Sequence, residues 1–126
     1  MEGVGDGPVR VLVADDQLVF REAMREVILA TRGMTLVGEA DSGEAAVAAV
    51  EQLAPRLVIL DKRMPGIGGV EAARRIRALR PDAVVVLVSV EAPDTQLLDA
   101  SGAAAYLNKR ELSPRTLAAL WRTYGT

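Results

Sequence analysis

LVILDKRMPG, Leu57 to Gly66, is the stretch on which the fold turns. Leu57-Val58-Ile59-Leu60 is a continuous apolar run rich in β-branched residues, the pattern of a strand covered on both faces. Asp61 follows where that strand leaves the core, two bases come next, and Pro65-Gly66 turns the chain. A carboxylate at the exit of a fully covered strand calls for a physical reason.

Outward from this strand, strand-like and helix-like segments alternate. On the N-terminal side Val9 to Ala14 reads as a short strand, and Phe20, Met24, Val27 and Ile28 recur at helical spacing. Met34 to Ala40 is a second strand and Ser42-Gly43 a turn. Ala46, Ala49, Val50 and Leu53 then mark one face of a second helix, stopped by Pro55. On the C-terminal side Gly66 to Gly69 reads as a loop, and Val70, Ala73, Ile76 and Leu79 describe a third helix that ends before Pro81. Ala83 to Val88 is the fourth strand, Thr95 to Ala100 leaves room for a short helix at most, and Ala104 to Leu107 is the fifth strand. Ser113 caps a last helix with Pro114 at its first position and Leu117, Leu120, Trp121 and Tyr124 on its inner side.

Residues 1–8, MEGVGDGP, read as a flexible tail, and residues 9–126 as one domain. Five strand-helix units predict an α/β fold, a doubly wound five-stranded parallel sheet in the order 2-1-3-4-5. In such sheets ligands bind past the carboxyl ends of the strands, where the winding reverses between strands 1 and 3. Asp15 and Asp16 end the first strand and Asp61 ends the third, so the three carboxylates are expected to converge there.

Composition narrows the chemistry. The chain has 126 residues, half of them hydrophobic, enough for one core and too few for two. With no cysteine and no histidine, disulfides, thiolate nucleophiles, serine-histidine triads and histidine-ligated metals are excluded. The formal net charge of -2 lacks the positive excess of a nucleic-acid binder. No apolar run approaches the roughly 18 residues of a membrane span, and the N-terminus has no signal pattern. A cytoplasmic protein is the expectation, with neither nucleic acid nor membrane as a direct partner.

Carboxylates about 4 Å apart repel by about 4 kcal/mol at an effective dielectric near 20. A hard divalent cation compensates best, and an all-oxygen ligand set suits magnesium. Taken singly, each aspartate also reads as a solvated cap, Asp16 for the first helix included. Ser89 follows the fourth strand and Lys109 lies just past the fifth, in YLNKRE. A hydroxyl and an ammonium beside a carboxylate-metal centre suit a transferred phosphoryl group. Alone, such residues are more often a turn former and a surface charge.

The segments VLVADD, LVILDKRMPGIGGVEAARRIR, VVVLVS and GAAAYLNK, in this order and spacing, resemble the receiver domain of a two-component response regulator over Val9 to Tyr124. VADDQLVFREAMREVI and VGEADSGEAAV resemble the nitrate-response type in particular. The resemblance implies the flavodoxin-like receiver fold and assigns Asp61 as phosphoacceptor. Asp15, Asp16, Asp61 and the backbone carbonyl of Arg63 would hold Mg2+, and Ser89 and Lys109 would bind the phosphoryl group. Ser89 and Tyr106 would form the switch, although Tyr106 also reads as a half-buried packing aromatic. The implied partners are a histidine kinase or phosphotransfer protein as donor and a second receiver in a homodimer. Nitrate-response receivers are commonly followed by a DNA-binding domain, which does not fit in the residues after Tyr124.

Four departures stand out. Gly68-Gly69 replaces an acidic residue followed by glycine, which should loosen the loop before helix 3 without touching the acceptor. The Ser89–Lys109 segment is shorter than usual and contains Pro93, so helix 4 should be short or irregular. Arg110 stands where many receivers have proline, which disfavours a cis bond there. Arg63 and Glu91 border the acceptor and are expected to pair across it, hindering water. Two other functions compete: a phosphorylation-independent receiver-like interaction module, and an aspartate-nucleophile phosphatase, whose second acid would fall where Arg63 stands.

Overall fold

A computed structural model describes residues 7–125 as alternating strands and helices. The order is β1 (Val9–Ala14), α1 (Leu18–Leu29), β2 (Met34–Ala40), α2 (Gly43–Leu53), β3 (Leu57–Asp61) and α3 (Gly68–Leu79). It continues with β4 (Val84–Ser89), α4 (Thr95–Ser101), β5 (Ala105–Asn108), a 3-10 turn (Lys109–Glu111) and α5 (Pro114–Tyr124). The strands form one parallel sheet in the expected order β2-β1-β3-β4-β5. Residues 1–6 of the expected tail lie outside the described residues; Gly7 and Pro8 are exposed.

The two-residue period of the central strands divides the apolar residues between two cores. Val11, Val13, Leu57, Ile59, Val86 and Val88 face α1 and α5, where Met24, Ile28, Leu117 and Leu120 cover them. Leu12, Val58, Leu60, Val85 and Leu87 face the opposite way, onto Ala46 and Val50 of α2 and Ala72, Ala73 and Ile76 of α3. All five residues of β3 are buried, as its unbroken apolar run requires. Each large side chain so buried contributes about 1.5–3 kcal/mol. This sandwich fixes the strand ends from which the site is built.

Helix ends follow local chemistry. Ser42 and Ser113 accept hydrogen bonds from Ala45 N and Thr116 N, and Pro114 opens α5 as expected. Gln17, and not Asp16, stands at the N-cap of α1, without a side-chain capping bond. Asp94 caps α4 through Gln96 N and Leu97 N, so the short helix forms despite poor helix formers. Its seven residues end at Gly102, which takes the left-handed conformation with φ 73°. No cis peptide bond occurs among the described residues, in line with arginine after Lys109.

Several sequence expectations need correction. Helix α3 begins at Gly68, inside the segment expected to be loop. Gly69 does touch the acceptor segment: a Cβ there would come within 2.0 Å of the Asp61 carbonyl oxygen and 2.9 Å of Lys62 Cα. The glycine admits a close approach of helix to strand end, tied by Gly69 N donating to Lys62 O at 3.0 Å. Tyr124, expected on the inner side of the last helix, is exposed, and so is Leu79, which shares the helical spacing of α3. Each is the last residue of its helix. Strands β4 and β5 each run one residue later than the hydropathy pattern suggests, ending on Ser89 and Asn108 because ladder pairing carries past the apolar run.

Candidate functional site

The parallel register brings the C-terminal ends of β1, β3, β4 and β5 to one rim: Ala14 pairs Leu60, Asp61 pairs Val88, and Ser89 pairs Asn108. Asp15 and Asp61 therefore leave neighbouring strands side by side, at the reversal point between β1 and β3. Carboxylate oxygens of Asp15, Asp16 and Asp61 all lie within 4.8 Å of one another. Asp15 is fully buried, Asp61 nearly so, and Asp16 exposed.

Lys109 reaches into this cluster from the end of β5. Its Nζ donates to Asp15 Oδ2 at 2.6 Å and stands 3.6 Å from Asp61 Oδ1. The Phe20 ring, its centroid 4.1 Å from the ammonium, covers it from α1. Asp15 is held further by Gln17 N, which donates to Oδ1 at 2.8 Å, and Arg21 Nη1 donates to its carbonyl at 2.7 Å. One cation thus faces the buried pair. Burial, and then the charge of Asp15, push the Asp61 carboxyl up from 3.8 to about 6, against the opposing pull of Lys109 and the Arg63 backbone N–H. A buried acid so displaced favours any further positive charge brought to the cluster. The donor set is all oxygen and carboxylate-rich, which fits a hard divalent cation such as magnesium.

Ser89 is buried at the end of β4, and its Oγ accepts from Glu91 N at 3.0 Å. Arg63 and Glu91 do pair: Arg63 Nε and Nη2 donate to the two Glu91 carboxylate oxygens at 3.2 and 3.1 Å. Lys62 joins them through an ion pair to Glu91 Oε1. Arg63, then Lys62, hold the Glu91 carboxyl down at about 2. Tyr106 packs in the core as one reading of it expected, but is buried and not half-buried, and its hydroxyl has no hydrogen-bond partner among the described residues. The Lys62 ammonium lies 5.9 Å from the Tyr106 ring centroid.

The loop after the acceptor is shaped from α2. Gly66 adopts φ 77°, and the Glu44 carboxylate occupies the space that a Cβ there would need. Glu44 Oε1 accepts from Ile67 N at 3.2 Å, fixing the path from Asp61 into α3.

Sequence reasoning passed over Phe20, Glu44 and Lys62. A signal for Lys62 existed: the two-residue period sends Leu60 and Lys62 to the face opposite Asp61, the face where Tyr106 is buried beside Leu87. A cleft of about 760 Å³ at the other end of the sheet, lined by Arg56, Arg77, Arg80 and Tyr124, contains none of the acidic cluster.

Comparison with known proteins agrees with this architecture. The family model of the response regulator receiver domain matches residues 11–121. The response regulator GacA of Pseudomonas viridiflava is 42% identical over 104 residues, covering 80% of this chain and 48% of that protein. UvrY of Escherichia coli (strain K12) is 34% identical over 118 residues, covering 92% and 54% respectively. The chain spans about half the length of these curated relatives. Among solved structures, a signal receiver domain described as that of NarL from Mycobacterium tuberculosis superposes with a TM-score of 0.80 at 29% identity, covering 92% of this chain and 98% of that one.

Proposed function

The chain belongs to the response regulator receiver domain family of two-component systems, and on that premise we propose that it is a phosphoacceptor domain with Asp61 as nucleophile. A carboxylate oxygen of Asp61 attacks the phosphorus of a phosphohistidine on a partner kinase or phosphotransfer protein. The P–N bond breaks, the imidazole nitrogen leaves with the electron pair, and an acyl phosphate forms on Asp61. None of the 126 residues is histidine, so the donor histidine lies outside them. Asp15, Asp16, Asp61 and the Arg63 carbonyl would hold Mg2+, which when bound supplies neutralising charge for the phosphoryl oxygens. Lys109, already beside Asp61, pairs with the transferred group, and the Ser89 hydroxyl turns toward it.

The observation that carries this reading is the gathering of three carboxylates within 4.8 Å around a buried strand end, with Lys109 alongside. Mutual repulsion in such a cluster serves no structural purpose, whereas it attracts the cation that phosphoryl transfer needs. The Arg63–Glu91 pair joins the loops that follow β3 and β4, and we assign it the role of slowing attack by water on the acyl phosphate. A phosphatase of the aspartate-nucleophile type is disfavoured, because Arg63 occupies the place of its second acid. The functional unit on this reading is residues 9–126, acting in the cytoplasm through protein contacts, a second receiver among them.

The test is incubation with magnesium and phosphoramidate or acetyl phosphate, followed by intact mass measurement. Wild type should gain one phosphoryl group and Asp61→Asn none. A wild-type protein that gains no mass refutes the acceptor reading and leaves the phosphorylation-independent interaction module in its place.

A further inference from the structure

Tyr106 poses a problem that the acceptor chemistry does not solve. Its ring is buried in the core between the sheet and the α2–α3 layer, yet its hydroxyl is buried without a hydrogen-bond partner among the described residues. A phenol so placed loses its water, so the ring needs a reason to stay inside. The adjacent cation offers one. Lys62 projects from the end of β3 to the same face, and its side chain is only 12% exposed, unusual for a lysine. Its ammonium is within cation–π range of the Tyr106 ring and is anchored on the far side by Glu91. Glu91 is in turn held by Arg63 and by the bond from its own N–H to Ser89 Oγ.

We propose that Lys62 is a positioning residue that holds Tyr106 inward before any phosphoryl group arrives. The inference rests on the proposed function only in treating Tyr106 as part of the output surface. The aromatic is set by a residue directly bonded to the acceptor, and phosphorylation does not have to draw it in. The moving part is then the Ser89–Glu91 loop: when the Ser89 hydroxyl turns to the phosphoryl group it gives up the Glu91 N–H, and the anchor of Lys62 slackens.

The chain has two tyrosines, Tyr106 and Tyr124. In a Tyr124→Phe background, 3-fluorotyrosine therefore reports on Tyr106 alone by fluorine NMR. Without donor or magnesium, the parent should show a solvent-shielded resonance with a small shift between H2O and D2O. Lys62→Ala should raise that solvent shift severalfold, and Lys62→Arg should restore the parent value. Glu91→Gln, a surface change that weakens the anchor, should give an intermediate value and serves if Lys62→Ala fails to fold. The inference is overturned if the parent resonance is solvent-exposed, or if Lys62→Ala, or Glu91→Gln in its place, matches the parent. None of these measurements involves phosphorylation. Absence of mass gain therefore sinks the acceptor reading alone, and an unresponsive resonance sinks this one alone.

Discussion

Removing the charge of Asp61 should make the metal-free protein more stable, and by an amount that depends on pH. Burial and Asp15 raise the Asp61 carboxyl from 3.8, its value in an open chain, to about 6 in the folded protein. At about 1.4 kcal/mol per pH unit, that displacement amounts to about 3 kcal/mol. For a raised carboxyl the sign is unfavourable: below pH 3.8 both states are protonated and nothing is lost. Between 3.8 and about 6 the unfolded chain ionises while the folded one resists, and above 6 the full cost is present. Asp61→Asn has no such titration. Measured by thermal unfolding with divalent ions chelated, the variant's advantage over wild type should grow from pH 4 to pH 7.5 by up to about 3 kcal/mol, or roughly 10 °C for a domain of this size. Adding magnesium at pH 7.5 should then narrow the gap by stabilising wild type preferentially. A melting-temperature difference that stays constant across that pH range would refute the argument that Asp61 is held ionised at a cost.

Gly69→Ala should destabilise by about 3 kcal/mol or more, because its Cβ would meet the Asp61 carbonyl, which is backbone and cannot step aside; urea unfolding measures it, and a loss under about 1 kcal/mol would contradict the close approach. Arg63→Asn removes one of the two cations on Glu91 and should shorten the lifetime of the phosphorylated protein severalfold, followed by loss of the added mass over time; an unchanged rate rules out the screening role. Asp94→Ala deletes the cap of α4 and should cost about 1 kcal/mol, with faster amide exchange confined to Thr95–Ser101; exchange that does not change would show that the helix is held by packing alone.

What could be read in advance was whatever a strand or helix declares through its own period. The unbroken LVIL and VVVLV runs declared buried parallel strands, and the aspartates closing β1 and β3 placed the acidic cluster once the winding order was known. Ser113-Pro114 announced its helix by local chemistry. What could not be read was set by contacts between distant segments. Gly69 looked like loop slack because the carbonyl it must pass belongs to another element. Leu79 and Tyr124 are exposed at the last positions of their helices, and where a helix ends against the core is not encoded in its period. Lys62 carried no role in the sequence because its partners, Glu91 and Tyr106, arrive from the loop after β4 and from β5.

The exit of β3 brings these threads to one peptide bond. Successive residues of a strand point to opposite faces, so Asp61 turns toward Asp15 and Lys109 on one side while Lys62 turns toward Tyr106 and Glu91 on the other. Each face holds a lysine paired with a carboxylate and set against an aromatic ring: Lys109 with Asp15 and Phe20, Lys62 with Glu91 and Tyr106. On the proposed reading, a phosphoryl group added to Asp61 competes for Lys109 and Ser89 at the first face. Ser89 is the group that also bonds the Glu91 backbone. A change of charge on one side of the strand therefore reaches the other through a single hydroxyl and a single carboxylate. This route needs no long-range movement of the core, which two packed layers of buried aliphatic side chains would resist. A population shift confined to the loops after β3 and β4 is the response that such a rigid sheet permits.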